Sequence, residues 1–304
     1  MVVDRRGPEG QSLPKLVRSV DLNSSRRFRL VWKARRIQVG GEGRSGREWD
    51  MKLPLEKVNW QSGADEMVCP PGDLDVWRIA SGDVCFDDPR WYDCLSGAER
   101  ERAARFRFEK DRRSYRVSHA CKRSILSRYL GLSPARLNFT TGQWGKPALC
   151  PQTMPSGVHF NLSHSRGVTL VAVGGRDYVG ADVEALQTEE RMQPIFDRFA
   201  SEEERRLWSE LAWTDVGRAL SGWWVCKEAF IKSVARGLSL PLADFTVDMA
   251  SDEQWSLTEV PDEFGPAGDY VVRLLDVSPG HMSAVVVKGD LFGIRCYDHG
   301  SLRF

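Results

Sequence analysis

The chain of 304 residues lacks several features that would place it in a familiar class. No run of about eighteen apolar residues occurs, which argues against a membrane span, and the N-terminus has no apolar segment typical of a secretory signal. Its 43 basic and 42 acidic side chains nearly cancel, so overall charge indicates neither a nucleic-acid nor a membrane partner. The 7 cysteines are odd in number and show no CxxC spacing, which favours reduced thiols in a cytoplasmic protein.

The first 68 residues differ from the rest because many arginines occur there in a stretch rich in Gly and Ser. We expect residues 1–68 to form a basic, poorly ordered extension. Two alternatives remain open: that the true start is Met51 or Met67, and that the segment is an arm that binds nucleic acid. A Pro-Pro-Gly turn at residues 70–72 marks the boundary.

Beyond this boundary the hydrophobic pattern predicts two successive strand–helix–strand–strand passages, at about 73–174 and 177–288. In the first passage, Ser96 and Glu99 form a capping-box signature that opens a helical region running to about Tyr129. The two passages indicate two similar lobes, and we expect the active site at the seam between them.

Asp182 and Glu184 stand two residues apart in a stretch predicted to be the second strand of a β-hairpin whose turn is 174–177. Because side chains alternate along a strand, both carboxylates project from one face. They are either ordinary acids at a strand end or, because the flanking strand is apolar, oxygen ligands for Mg²⁺ at the rim of a core.

The stretch from Arg218 to about Ala235 predicts a helix with two different faces. Apolar side chains share one stripe, whereas Trp224, Glu228 and Lys232, spaced by four, share nearly the opposite one. Glu228 and Lys232 form either an exposed salt bridge, which contributes about 0.3–0.5 kcal/mol, or a functional pair. Trp224 favours the second interpretation, because a wholly solvated face rarely carries tryptophan.

Three further features could contact phosphate or could be purely structural. His164 lies between two serines just before a strand, and Lys146 lies in a Gly-Lys-Pro turn. Arginines that include Arg105 and Arg113 cluster on the capped helical region, where they pair with neighbouring glutamates or bind phosphate oxygens. No G-x-S-x-G elbow and no second histidine at triad spacing occur, which argues against acyl transfer by a serine nucleophile.

Taken in order, these residues resemble the 4′-phosphopantetheinyl transferases of the surfactin-synthetase-activating (Sfp) type, over about residues 73–290. One departure is Glu99, which falls where relatives often place a basic residue. The motifs that carry the resemblance are Arg105-Phe106 with Asp111-Arg112-Arg113, Gly145-Lys146-Pro147, Phe160-Asn161-Leu162-Ser163-His164-Ser165, Gly180-Ala181-Asp182-Val183-Glu184, Arg198-Phe199 with Ser201 and Glu204, Trp224-Val225-Cys226-Lys227-Glu228-Ala229-Phe230-Ile231-Lys232, and Gly237-Leu238-Ser239-Leu240-Pro241-Leu242.

The resemblance implies an α+β fold with two similar lobes related by a pseudo-twofold, each a small antiparallel sheet packed by helices. We expect the N-terminal lobe at 73–175, the C-terminal lobe at 176–290 and a tail at 291–304. The family branch is usually monomeric. The implied activity transfers the 4′-phosphopantetheine arm of coenzyme A to a serine of an apo acyl or peptidyl carrier protein and releases adenosine 3′,5′-bisphosphate, with neither nucleic acid nor membrane as partner.

The same resemblance implies that Asp182, Glu184 and Glu228 bind Mg²⁺ around the pyrophosphate. Glu228, or a metal-bound water beside it, is expected to accept the serine proton, while Lys232 steadies the phosphate and helps the leaving group. Two rivals remain: a non-catalytic module that binds a carrier protein or coenzyme A, and a nucleic-acid-associated protein that works through its N-terminus.

The remaining candidate residues are assigned by this resemblance to coenzyme A. Ser163 and His164 are expected to contact its phosphates. The turn Gly145-Lys146-Pro147 is expected to border the adenine, with the lysine also near phosphate. Arg105 and Arg113 are expected at the 3′-phosphate.

Overall fold

A five-stranded sheet and a three-stranded sheet form the framework of the part of the chain that the structure describes. The computed structural model describes residues 55–69, 72–80, 89–152, 157–210, 215–250 and 254–299, which all belong to one compact unit. Most of the predicted extension, including Met51, lies outside these residues. None of the helices found within them is both long enough and apolar enough to cross a bilayer.

Along the described residues the strands and α-helices occur in blocks: two strands, three helices, five strands, three helices and five strands. The strands are β1 (Trp60–Ser62), β2 (Asp73–Ala80), β3 (Phe139–Thr141), β4 (Pro147–Leu149), β5 (His159–Ser165), β6 (Val168–Gly174), β7 (Val179–Ala185), β8 (Thr246–Ala250), β9 (Gln254–Glu259), β10 (Tyr270–Leu274), β11 (His281–Lys288) and β12 (Gly293–Asp298). The α-helices are α1 (Arg90–Asp93), α2 (Gly97–Ala104), α3 (Glu109–Leu130), α4 (Glu189–Phe199), α5 (Glu202–Glu210) and α6 (Val216–Ser233). Helices and small sheets in this arrangement confirm the predicted α+β class.

The first lobe packs α3 against a sheet with the strand order β1-β12-β2-β6-β5. The capping box at the start of α2 forms as predicted, since the Glu99 backbone N–H donates to Ser96 Oγ and the Ser96 N–H donates to the Glu99 carboxylate. The helical region predicted as one stretch is two helices, because the chain turns between α2 and α3. Gly131 ends α3 with a φ of 62°, the left-handed conformation that glycine adopts without strain.

The second lobe packs α6 against a sheet with the order β10-β11-β7. β7 pairs antiparallel with β11 from Val179 opposite Val287 to Ala185 opposite His281. α6 packs against this sheet in the core of the lobe, and most of its side chains are buried. This position fixes the helix against the strand that carries Asp182 and Glu184.

The hairpin predicted around residues 174–177 is wrong. β6 pairs with β2 and β5, whereas β7 pairs with β11, so residues 175–178 connect two different sheets. Every residue of β6 is buried, which a two-stranded hairpin with exposed faces would not achieve. The tight hairpin instead joins β5 to β6 through Arg166 and Gly167, whose φ values of 39° and 88° suit a two-residue turn.

Two segments placed outside the lobes by the sequence belong to the first sheet. β12, in the predicted tail, lies parallel to both β1 and β2, and β1 lies in the predicted extension. The cause is burial: Cys296 and Tyr297 are in the core, and Arg295 Nε contacts the buried Asp75 at 2.6 Å. The first sheet is consequently mixed, and a chain starting at Met67 would lack β1. The remaining lobe boundaries stay a prediction.

Candidate active site

The candidate site lies where β5, β7 and α6 meet. α6 is buried on nearly every side, and Trp224, Glu228 and Lys232 form the half-buried stripe predicted from their spacing. β7 lies directly against the helix because residue 180 is glycine. A Cβ there would stand 2.0 Å from the Ala229 carbonyl oxygen, closer than any side chain allows. Gly180 thus permits the approach that brings β7 carboxylates to the α6 stripe.

Lys232, Asp182 and Ser163 form the centre of the site. Lys232 Nζ lies 2.5 Å from Asp182 Oδ1 and donates to Ser163 Oγ at 3.1 Å. The Ser163 hydroxyl donates to the same Asp182 oxygen at 2.8 Å. The other carboxylate oxygen, Asp182 Oδ2, is buried and has no hydrogen-bond partner among the described residues. One buried oxygen of this carboxylate is therefore left to accept a further ligand.

Glu184 and Glu228 flank this centre. Ser165 Oγ donates to Glu184 Oε2 at 2.8 Å. Burial, reinforced by the Asp182 charge, raises the pKa of Glu228 to about 7, although Lys232 opposes the shift. Burial also raises the pKa of Glu184, as does Asp182, whereas the Ser165 hydrogen bond lowers it. The Asp182 charge is thus close enough to both glutamates to disfavour their ionised forms.

The donor chemistry of these residues fits a hard divalent cation. Three carboxylates supply the oxygen ligands that Mg²⁺ prefers, and the unpartnered Asp182 Oδ2 is a ready ligand atom. In the described ranges, however, no three His, Cys, Asp or Glu side chains are grouped closely enough to hold a metal together. The Lys232 ammonium contacts the first Asp182 oxygen. A metal centre made by Asp182, Glu184 and Glu228 therefore stays a prediction.

His164 and Arg113 line one cavity of about 500 Å³ between α3 and the β5–β6 hairpin. Burial, together with the Lys232 charge, lowers the pKa of His164, which favours a neutral imidazole. Arg113 Nε contacts Glu109 at 3.2 Å. Arg105 does not share this cavity and lines a separate one of about 530 Å³ at the end of α2. The structure thus brings only one of the two predicted arginines to His164.

The Gly145-Lys146-Pro147 turn borders a third cavity, of about 690 Å³, between β4 and the end of α6. Gly145 has a φ of 86°, which the tight turn requires. Lys146 Nζ donates to the carbonyl oxygens of Val179 at 2.8 Å and Ser233 at 3.2 Å. Burial lowers its pKa to about 8. This lysine therefore ties the first lobe to the second, and its third donor remains for a ligand.

Glu99, which departs from the family pattern, is partly buried and contacts three side chains of α3. Its carboxylate contacts His119 at 3.0 Å, Lys122 at 3.2 Å and Arg123 at 2.5 Å. Burial alone would raise its pKa, but these partners and the Ser96 backbone hold it well below the usual range. The acid therefore fastens α2 to α3. The Ser-x-x-Glu signature predicts the cap but not the contacts with His119, Lys122 and Arg123.

Ser165 and Asn161 make contacts with β7 that the sequence did not predict. Ser165 holds the Glu184 carboxylate, and Asn161 Oδ1 accepts from the Ala181 N–H at 3.0 Å. Their signal is an Asn-x-Ser-x-Ser pattern with a period of two, which places all three polar side chains on one face of β5.

Known proteins match both lobes. Residues 89–175 match the N-terminal family of 4′-phosphopantetheinyl transferases, and residues 178–275 match the 4′-phosphopantetheinyl transferase superfamily. The 4′-phosphopantetheinyl transferase HetI of Nostoc sp. is 33% identical over 178 residues, which cover 56% of this chain and 75% of that protein. The 4′-phosphopantetheinyl transferase Sfp of Bacillus subtilis is 32% identical over 202 residues, 66% of this chain and 84% of that protein.

A two-lobed α+β fold with acids and a lysine at its seam is compatible with a transferase that acts on a phosphate-containing substrate. With the matches above, the chain belongs to the 4′-phosphopantetheinyl transferase superfamily, which confirms the resemblance found in the sequence. Enzymes of this family use coenzyme A and act on carrier proteins.

Proposed function

We propose that this chain transfers the 4′-phosphopantetheine arm of coenzyme A to a serine of an apo acyl or peptidyl carrier protein, with Mg²⁺, and releases adenosine 3′,5′-bisphosphate. The observation that carries the proposal is the Lys232–Asp182–Ser163 cluster, with its buried carboxylate oxygen and two flanking acids. The proposal includes a monomeric enzyme in the cytoplasm, as the sequence predicts.

The chemistry requires one bond to form and one to break. The serine oxygen bonds to the phosphorus that carries the pantetheine, and the bond between that phosphorus and the bridging oxygen breaks. Glu228 accepts the serine proton. In the metal-free protein the pKa of Glu228 is about 7, so this carboxylate can take up a proton near neutral pH.

Asp182, Glu184 and Glu228 would hold the Mg²⁺ ion. When bound, Mg²⁺ supplies charge neutralisation to the pyrophosphate. Lys232 lies on the same face and donates to the phosphate oxygens, where the departing bisphosphate gathers negative charge. Partial burial of Lys232, with its side chain 28% exposed, strengthens this attraction by limiting screening from water.

The rest of coenzyme A would lie along β5 and the turn before β4. Ser163 and a neutral His164 offer hydrogen bonds to its phosphates, and Arg113 shares a cavity with His164. The apolar cavity beside Lys146-Pro147 suits the flat adenine ring. A role for Arg105 rests on the resemblance alone.

A carrier-loading assay tests the proposal. We expect that mixing the protein with coenzyme A, Mg²⁺ and a panel of apo carrier proteins adds the mass of one phosphopantetheine arm to at least one carrier. A carrier whose acceptor serine is replaced by alanine should stay unmodified, as should any carrier mixed with the Asp182→Ala enzyme. A folded wild-type chain that loads none of several acyl and peptidyl carriers would refute the activity.

A further inference from the structure

β5 and β7 are edge strands of different sheets, and side chains of β5 take the place of a backbone ladder between them. We name Asn161, Ser163 and Ser165 the seam ladder. Each of the three side chains accepts one hydrogen bond from β7, and the donors are alternate backbone N–H groups of that strand. Asn161 Oδ1 accepts from the Ala181 N–H at 3.0 Å, Ser163 Oγ from the Val183 N–H at 3.3 Å, and Ser165 Oγ from the Ala185 N–H at 3.2 Å. Side chains of the first lobe thereby satisfy the free backbone edge of the second.

The two serines of the ladder make a second, identical contact. Ser163 Oγ donates to Asp182 Oδ1 at 2.8 Å, and Ser165 Oγ donates to Glu184 Oε2 at 2.8 Å. Each hydroxyl thus accepts from one β7 N–H and donates to the carboxylate of the preceding residue. A hydroxyl can do both at once, whereas a carboxamide oxygen can only accept.

The third position of the ladder follows the same logic. The residue that precedes Ala181 is Gly180, which has no side chain to orient, and here β5 carries Asn161 instead of a serine. Serine occurs where a carboxylate must be held, and asparagine occurs where only the backbone must be satisfied. Asn161 therefore serves as an internal control: it contacts only the β7 backbone, whereas the two serines contact the backbone and a carboxylate.

We propose that Ser165 is a positioning residue. Its hydroxyl orients the Glu184 carboxylate toward the cleft by donating a hydrogen bond to it. The inference rests on the proposed function, in which Glu184 is a cation ligand. Ser165 is well placed to act, because its hydroxyl is fixed by the Ala185 N–H and its carbonyl oxygen lies 3.2 Å from His281 Nε2.

Glu184 needs such a partner more than Asp182 does. Asp182 also contacts the Lys232 ammonium, but in the described part of the chain the Ser165 hydroxyl is the hydrogen-bond donor to Glu184. The longer glutamate side chain also has more rotamers to select among, so losing the donor releases the carboxylate. Residues that orient metal ligands typically change affinity by about 10–100-fold when removed.

The test compares Ser165→Ala with Ser165→Thr, which keeps a hydroxyl, and with Asn161→Ala, which removes only a seam contact. Binding of Mn²⁺ to the free protein is measured by electron paramagnetic resonance, and carrier loading is measured against Mg²⁺ and coenzyme A concentration. We expect Ser165→Ala to weaken Mn²⁺ binding about 10–100-fold and to raise the Mg²⁺ requirement by a similar factor. The KM for coenzyme A should change little.

The two comparison variants should differ from Ser165→Ala in their Mn²⁺ affinity. Ser165→Thr should stay near wild type. Asn161→Ala should lower the unfolding temperature while leaving Mn²⁺ affinity unchanged. Wild-type Mn²⁺ affinity in Ser165→Ala, or an equal loss in Ser165→Thr, would overturn the proposal.

Two further outcomes remain decisive. If the wild type binds Mn²⁺ and Ser165→Ala does not, but no carrier is ever loaded, the positioning role stands and the proposed function fails. If the wild type binds no Mn²⁺, crystal structures of the wild type and Ser165→Ala decide. A displaced Glu184 carboxylate supports the role, and an unmoved one refutes it.

Discussion

Two lysine–carboxylate pairs involve neighbouring turns of α6, and they have almost the same length but different surroundings. Lys227 Nζ lies 2.7 Å from Glu204 Oε1, and both side chains are fully buried. Lys232 Nζ lies 2.5 Å from Asp182 Oδ1, with the lysine side chain 28% exposed. We call these the closed pair and the open pair.

The closed pair has no hydrogen-bonding capacity left on its lysine. Besides Glu204, the Lys227 ammonium donates to the carbonyl oxygens of Leu242 and Phe245, each at 2.6 Å. Glu204 Oε1 also accepts from the Val247 N–H at 2.7 Å. Burial lowers the pKa of Lys227 to about 8, while Glu204 opposes the shift. This pair therefore joins α5, α6 and the segment before β8 as a structural unit.

The open pair keeps unused capacity. Asp182 Oδ2 is buried without a hydrogen-bond partner in the described residues, and Lys232 has one donor beyond those given to Asp182 and Ser163. The difference teaches that the length of an ion pair does not reveal its role. What distinguishes the ion pair of the candidate active site from the purely structural ion pair is hydrogen-bonding capacity that the protein itself leaves unsatisfied.

Glu228→Gln is the change with the largest expected effect. The substitution removes the proposed base beside the open pair but keeps the size of the side chain. We expect the carrier-loading rate to fall by about 10²–10⁴-fold. The free energy of unfolding, measured in urea, should not fall, because the lost charge repels Asp182 and Glu184. A rate within threefold of wild type would remove Glu228 from the mechanism.

The same variant should change how stability depends on pH. The pKa of Glu228 is about 7 in the folded protein against 4.5 as its ordinary value, so the folded state binds this proton more tightly. Its contribution to stability is complete below pH 4.5 and is lost as pH rises through 7. In metal-free buffer, Glu228→Gln should therefore gain stability relative to wild type across this window. Parallel curves would contradict the raised pKa.

Lys227→Met tests the closed pair. The substitution leaves the Glu204 carboxylate buried without its cation, and breaking a buried pair in this way typically costs about 3–5 kcal/mol. Urea unfolding of the free protein measures the loss. Adding Glu204→Gln should restore part of it, because the unpaired charge is gone. The recovery should be incomplete, since the carboxylate accepts from both the Val247 and the Ser201 N–H and the amide oxygen can replace only one of these acceptors. A loss below about 1 kcal/mol would show that the pair does not fasten the lobe.

Lys232→Ala tests the open pair by removing its cation. We expect the transfer rate to fall by about 10²–10³-fold, because the variant lacks a donor to the developing phosphate charge. Stability should fall less than in Lys227→Met, since water can take the place of the Lys232 side chain, which is 28% exposed, beside Asp182. Steady-state kinetics with varied coenzyme A check the assignment. A change confined to KM would make Lys232 a binding residue only.

The sequence predicts what depends on local spacing. The Trp224–Glu228–Lys232 stripe follows from the helical repeat, and the shared face of Asp182 and Glu184 follows from the strand repeat. The capping box at Ser96 is equally local. These local features are sufficient to identify the candidate site from the sequence.

Pairings between distant segments could not be predicted in the same way. The apolar runs at β6 and β7 suit a hairpin as well as they suit two sheets, and only the presence of β11 decides. β12 reaches the first sheet from the far end of the chain, and Lys227 meets Glu204 from another helix. Such contacts depend on tertiary packing, which periodicity does not encode.

A third ion pair, on the surface of α5, is expected to contribute least to stability among the three pairs compared. Arg206 Nη2 lies 2.5 Å from Glu203 Oε1 on α5, as close as the open pair, but the two side chains are 53% and 43% exposed. Because both ions keep most of their hydration, we expect Glu203→Ala to change the free energy of unfolding by less than about 0.5 kcal/mol and to leave carrier loading unchanged. Urea unfolding in low and high salt checks this. If Glu203→Ala destabilised the protein as much as Lys227→Met, distance alone would rank ion pairs, and unsatisfied hydrogen bonding could no longer separate the open pair from the closed one.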